Sequence, residues 1–301
     1  MAEAVRIVEV GPRDGLQNEA AFVPTEDKVA LIEHLQEAGL AYLEVSSFVH
    51  PRWIPQLADA DEVFRRLKRR EGVTYAALVP NARGLQRALA AGVTEIAVFL
   101  SASETHNQKN INKTIDETFP VLDEVVREAT AAGLSVRGYV STAFGCPYEG
   151  EVPLGRVLRV TERLLAMGVR EVSIGDTIGI ATPKQVRERF AELVRCFGAE
   201  RLAGHFHDTR GTGLANVCAA LEVGIRTFDS SVGGLGGCPY APGASGNVAT
   251  EELVYLLRGM GYETGIDLDR LVAAGRFIQE RLGRKLPSRV LAACTAGQRS
   301  A

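Results

Sequence analysis

The chain has 301 residues, 46% of them hydrophobic, and 34 lysines and arginines against 37 aspartates and glutamates give a formal net charge of -3. That length suits one large α/β domain with a full core, or two small ones. The near-neutral balance offers no basic field for nucleic acid, the cationic run 65–70 reads as the solvated end of a helix, and no apolar run is long enough to cross a membrane.

A β-rich run opens the chain at Val5–Val10. Seven times afterwards a helical pattern ends, a glycine follows, and a β-rich run resumes. Gly39 precedes 41–45, Gly72 precedes 73–79, Gly92 precedes 94–99 and Gly133 precedes 134–140. Gly168 precedes 170–174, Gly198 precedes the run through His205, and Gly224 precedes 225–230. A glycine there fits the residue just past a helix, which takes positive φ. The runs between are helical. Thr182 caps a helix to Phe197, with Pro183 at its first position, Gln185 completing a capping box, and Val186, Phe190, Leu193, Val194 and Phe197 on one face. Thr25 opens a similar helix with Val29, Ile32, Leu35 and Ala38 inward. Pro153–Met167 and Gly213–Val223 follow suit.

Regular β-then-α alternation implies a parallel sheet with right-handed crossovers, and eight repeats predict a closed (β/α)8 TIM barrel. An open doubly wound sheet is disfavoured, because Gly11-Pro12-Arg13-Asp14-Gly15 after the first strand is no dinucleotide turn. The expected organisation is a single catalytic domain over 1–301, with the barrel at about 5–260 and a helical tail at about 261–301.

In this fold chemistry gathers at the C-terminal ends of the strands. His205 and His207 share one face of a strand while Phe206 turns into packing, so the two imidazoles can hold one metal ion. Closure brings the first strand near the seventh, and with it Asp14. Asp14, His205, His207 and a side-chain oxygen such as that of Asn247 form a mixed donor set suited to a six-coordinate Mg²⁺ or Mn²⁺. Each residue also has a plainer reading. The histidines are then unrelated, Asp14 and Asp176 cap turns, and Glu44 is a buried partner for Arg13. Cys238, in a glycine-rich segment that offers little burial, reads as a reactive thiol. His34 and His106 read as surface residues, and His50 stays open. Five widely spread cysteines (146, 196, 218, 238 and 294) suit reduced thiols. A strand pattern that begins almost at once leaves no room for a targeting segment, so the expected location is cytoplasmic.

Val8 to Glu19, Glu44 to Pro51, His205-Phe206-His207-Asp208 and above all the glycine-rich Ser231 to Asn247 closely resemble the 3-hydroxy-3-methylglutaryl-CoA lyase family. The resemblance runs from about Val5 to about Leu286 and departs at His50, where a small polar residue is expected. It implies cleavage of 3-hydroxy-3-methylglutaryl-CoA to acetyl-CoA and acetoacetate, with a divalent metal (Mg²⁺ or Mn²⁺) on Asp14, His205, His207 and Asn247. By the same resemblance Arg13 stabilises the thioester enolate, Glu44 positions Arg13, Cys238 transfers protons, and Asp176 sits in the substrate pocket. Base and acid divide among His205, Asp176 and Cys238. Substrate binding is expected of Arg13 and Gln17, and of Lys109 and Lys113, whose cations suit CoA phosphates as well as they suit an ordinary solvated loop. The partner is a small acyl-CoA, with no nucleic acid or membrane, and the chain is expected to form a homo-oligomer, most simply a dimer. The sequence does not choose between leucine degradation and ketone-body supply. Alternatives are an acetyl-CoA-condensing 2-oxo acid synthase, a lyase for a longer 3-hydroxyglutaryl-CoA, and a non-catalytic metal-dependent binding protein.

Overall fold

The computed structural model describes residues 3–237 and 246–297. Eight parallel strands pair in chain order and close on themselves. They are β1 (Arg6–Glu9), β2 (Tyr42–Ser47), β3 (Thr74–Leu78), β4 (Glu95–Ser101), β5 (Ser135–Ser141), β6 (Glu171–Asp176), β7 (Leu202–Phe206) and β8 (Thr227–Ser230). Closure is made by β1 on β8, with Arg6 opposite Thr227 and Glu9 opposite Ser230. The helices are α1 (Thr25–Glu37), α2 (Ala60–Arg66), α3 (Ala82–Ala90), α4 (Glu104–Ile111), α5 (Ile115–Ala131), α6 (Leu154–Ala166), α7 (Pro183–Phe197), α8 (Gly213–Glu222), α9 (Thr250–Gly259), α10 (Leu268–Leu282) and α11 (Arg289–Gly297). No helix among the described residues is long and apolar enough to cross a membrane. The expected (β/α)8 barrel is therefore the observed fold.

All seven junction glycines take positive φ, from 67° at Gly92 to 103° at Gly168. The cationic run divides: α2 stops at Arg66, Arg65 and Arg66 pair with Glu62, and Arg69 donates to the carbonyls of Ala91 and Gly92.

The apolar core lies between strands and helices. Strand residues that point outward, such as Leu43, Val45, Val136, Val140, Val172 and Phe206, join the helix faces in one large cluster. The barrel interior is different. Its apolar groups are two small patches, one around Val8 and Tyr42 and one around Leu78 and Tyr139. Polar groups occupy the remainder. Arg137, only 1% exposed, binds Glu171 through Nε at 2.8 Å and Asp229 through Nη2 at 2.7 Å. Arg6 closes on the other Glu171 oxygen. Strand alternation explains the set, since Arg137 and Tyr139 share one face of β5, and Glu171 and Ser173 one face of β6.

The tail packs back on the barrel, with α10 lying against α1 and against the turn at 232–234. Gly39 allows this approach. Its φ is 96°, and a Cβ there would lie 2.4 Å from the carbonyl oxygen of Gly265. Gly39→Ala is expected to lower stability by about 2 kcal/mol, from left-handed strain together with the clash. Urea unfolding would measure it, and a change within about 0.5 kcal/mol would contradict this account of the junction.

Candidate active site

The site begins at the end of β1. The chain turns tightly through Gly11–Gly15, and the amides of Arg13, Asp14 and Gly15 all point to the carbonyl of Val10. This turn aims Arg13 and Asp14 over the mouth of the barrel. Arg13 donates through Nη1 to Asp14 at 2.7 Å and through Nη2 to Glu44 at 3.0 Å. Tyr139 donates its hydroxyl to the same Glu44 oxygen at 2.8 Å, and its ring lies under the guanidinium at 5.6 Å. Burial disfavours the charge on Arg13, but Glu44 and then Asp14 outweigh it and push the guanidinium pKa further up. Arg13 is a permanent cation in a fixed orientation, and Glu44 is the partner expected for it.

Asp14, His205 and His207 converge, with one ligand atom from each lying within 4.8 Å of the others. The two imidazole centroids are 5.3 Å apart. β7 ends at Phe206, and the chain continues extended so that His207 forms a bridge with Asn247. Asn247 donates Nδ2 to Asp14 Oδ2 at 2.7 Å and also to the Leu235 carbonyl at 3.3 Å, which leaves Oδ1 as the atom it can give an ion.

His205 Nδ1 sits 3.1 Å from Asp229 Oδ2, so its Nε2 is presented to the site. Burial lowers the pKa of His205, but the hydrogen bond and charge of Asp229, then the charge of Asp14, raise it above its ordinary value. Burial, aided by the charge of His205, pushes His207 down to about 4, so its ring stays neutral as a ligand must. Burial raises Asp14, but Arg13 and the two histidines more than offset this and hold it ionised. His207 Nδ1 is buried with no hydrogen-bond partner among the described residues. A neutral imidazole with an orphaned buried nitrogen, beside an ionised carboxylate and a second imidazole, fits a divalent cation.

These groups line one cavity of about 730 Å³. Arg13, Asp14, Gln17, Lys113, His205 and His207 are on its wall. Gln17 donates to Asp14 at 2.8 Å. Lys109 is not on the wall, because its ammonium sits over the Tyr148 ring at 5.0 Å. The expectation for Asp176 is also revised. Its oxygens accept the amides of Ile180 and Ala181, both at 3.0 Å, while its neighbours Gly175 and Thr177 line the cavity. Burial raises its pKa to about 6 despite those bonds. Cys238 lies outside the described residues; Gly237, which precedes it, is on the wall. His50 is exposed, accepts the Arg52 amide, and does not line the cavity. His106 is a correction. It is 4% exposed, contacts Ser101 Oγ at 2.5 Å through Nδ1, and lines the cavity. Sequence reasoning also missed Tyr139 and Asp229, although alternation from Arg137 and from Thr227 points both inward.

Fold and site together define a (β/α)8 protein with a divalent-cation type of centre, two imidazoles and a carboxylate beside a buried arginine. The HMGL-like family model matches residues 4–278, and the chain belongs to that family. Hydroxymethylglutaryl-CoA lyase YngG of Bacillus subtilis is 54% identical over 287 residues, 95% of this chain and 96% of the relative. The crystal structure of the Bacillus subtilis HMG-CoA lyase superposes with a TM-score of 0.97 at 53% identity, covering 97% of this chain and 98% of that one. An HMG-CoA lyase from Acinetobacter baumannii, solved with coenzyme A and 3-methylmalate, superposes at 0.92 with 42% identity, covering 96% and 95%.

His106 sets a pH dependence. Burial holds it at about 4, against 6.5 for a free side chain. Between those values the unfolded chain binds a proton that the folded chain does not, so this contribution is complete above about pH 6.5 and is lost as pH falls towards 4. His106→Phe is expected to flatten that acid limb by a few kcal/mol at most. Urea unfolding of both proteins at about pH 7 and about pH 5 measures the difference, and parallel limbs would contradict the buried neutral state.

Proposed function

We propose that this chain cleaves 3-hydroxy-3-methylglutaryl-CoA to acetyl-CoA and acetoacetate. The observation that carries the reading is the convergence of Asp14, His205 and His207 beside Arg13 on the wall of one cavity. The end-to-end likeness to lyases of this name supports it.

The reaction breaks the C2–C3 bond of the acyl group. The tertiary hydroxyl loses its proton, the C3 fragment leaves as acetoacetate, and C2 takes a proton to become the methyl of acetyl-CoA. Mg²⁺ or Mn²⁺, held by Asp14, His205, His207 and the amide oxygen of Asn247, would make that hydroxyl more acidic. Arg13 meets the enolate oxygen of the leaving thioester. Its fixed charge is an electrostatic device that needs no reorganisation as the charge develops. Glu44 and Tyr139 hold the guanidinium in place. Cys238 delivers the proton to C2. With both oxygens bound to backbone amides, Asp176 serves by holding the loop that brings Thr177 to the cavity, and proton transfer is divided between His205, which takes the hydroxyl proton, and the Cys238 thiol. Gln17 and Lys113 face the substrate, Lys113 towards the anionic CoA end, with Lys109 outside the wall. The proposed setting is a single catalytic domain, cytoplasmic and dimeric. The packing of α10 on α1 supports counting the tail with the barrel.

Turnover is tested by following acetoacetate from 3-hydroxy-3-methylglutaryl-CoA after chelation, with and without added Mg²⁺ or Mn²⁺. Metal-dependent release is expected, and a folded, metal-loaded protein that releases none would refute the reading. Arg13→Met is expected to lower kcat by about 10² to 10³, as for loss of an oxyanion donor. Lys113→Ala is expected to raise KM for the CoA thioester by about threefold to tenfold, and Lys109→Ala to leave it near the wild-type value. Equal effects of the two lysine variants would contradict the placement of Lys109 off the wall.

A further inference from the structure

We propose that Glu9 is a positioning residue for this reaction: its buried carboxylate pins the Arg13–Asp14 turn to the base of the glycine-rich segment and to the start of α9. The proposal deepens the lyase reading and rests on it for the reaction, though not for the metal site.

Glu9 is the last residue of β1 and is fully buried. Oε1 accepts two backbone amides at once, that of Gly11 at 2.7 Å and that of Val232 at 2.9 Å. Oε2 accepts the Thr250 hydroxyl at 2.6 Å, and Ser230 Oγ lies 2.8 Å beyond it. These partners belong to three separate stretches of chain. Gly11 opens the turn that carries Arg13 and Asp14, Val232 leads into the segment of Cys238, and Thr250 follows Asn247. One side chain thus joins the turn that carries Asp14, the start of the glycine-rich segment and the residues that follow Asn247.

The packing around it is close. A Cβ on Gly11 would lie 2.6 Å from Glu9 Oε1 and 3.0 Å from Val232 Cγ1, and one on Gly15 would lie 2.7 Å from Leu235 Cβ. The turn and the segment therefore have little room to shift except together. Their common point is a carboxylate and not an apolar contact, because both amides face the interior and need an acceptor there. Burial raises the Glu9 carboxyl to about 7 in spite of its three hydrogen bonds, so a neutral isostere is a fair replacement.

The test compares Glu9→Ala and Glu9→Gln with wild type for Mn²⁺ affinity by titration calorimetry, and for kcat and KM. In Glu9→Gln the amide oxygen can take both backbone amides, while its NH₂ donates to Thr250 and the Thr250 proton turns to Ser230. Glu9→Ala is expected to weaken Mn²⁺ binding about tenfold and lower kcat on the order of 100-fold, with KM within about threefold. Glu9→Gln is expected to recover most of both losses. If folded Glu9→Ala loses thermal stability alone, with Mn²⁺ affinity and kcat at wild-type levels, or if Glu9→Gln is as impaired as Glu9→Ala, the proposal is overturned. If Glu9→Ala does not fold, Thr250→Val decides, since it removes only the Oε2 donor. Weaker Mn²⁺ binding and lower kcat then support the proposal, and wild-type values overturn it. Mn²⁺ binding requires no substrate, so a wild-type protein that binds Mn²⁺ without cleaving the thioester refutes the reaction and leaves this test standing.

Discussion

Asp229 accepts three donors at once, the guanidinium of Arg137 at 2.7 Å, the hydroxyl of Ser173 at 2.7 Å and the imidazole of His205 at 3.1 Å. Arg137, pulled between Glu171 and Asp229, is the fixed charge of the barrel interior. A buried ion network of this kind is weak evidence for stability, because well-packed apolar side chains often serve as well. What it supplies here is orientation. Burial alone would favour a neutral Asp229, and Arg137 and His205 hold its pKa far below the usual carboxylate range. An ionised Asp229 fixes one face of His205, so the opposite nitrogen reaches the site.

The polar interior has a second consequence. With charges filling the lower barrel, the large apolar cluster sits outside the strands, among the helices. The site then rests on two supports. Beneath it is the Glu171–Arg137–Asp229 line to His205. Beside it is the Glu44–Tyr139 pair that clasps Arg13. Tyr139 touches both, its ring edge-on to His205 and beneath Arg13, and it shares the inward face of β5 with Arg137. The Asp14–His205–His207 cluster and the Arg13 guanidinium are thus built on one continuous set of buried contacts.

Much of this was legible in the chain. The junction glycines mark seven strand starts because only glycine takes positive φ without strain, and all seven do. The His-x-His spacing placed two imidazoles on one face, and Glu44, an acid inside a strand, was legible as a buried partner for Arg13. His106 was misread, because nothing local distinguishes a loop histidine from one turned inward by the Ser103 cap and the Ser101 contact. The contacts of Asp176 were not legible for a related reason: an acid at a strand end can face the cavity or the amides of its own loop, and here its oxygens accept two amides at 3.0 Å.

The sequence by itself determined the (β/α)8 fold, the candidate donors Asp14, His205, His207 and Asn247, and the family resemblance. These follow from local periodicity, turn chemistry and short-range spacing, all of which are written along the chain. Only the tertiary structure decided that Asp229 orients His205 and that Glu9 joins Gly11 to Val232. It also put Lys113 on the cavity wall and Lys109 off it. Those contacts link residues far apart in sequence, and they are set by how the eight strands stagger as the barrel closes, a geometry that no local pattern encodes.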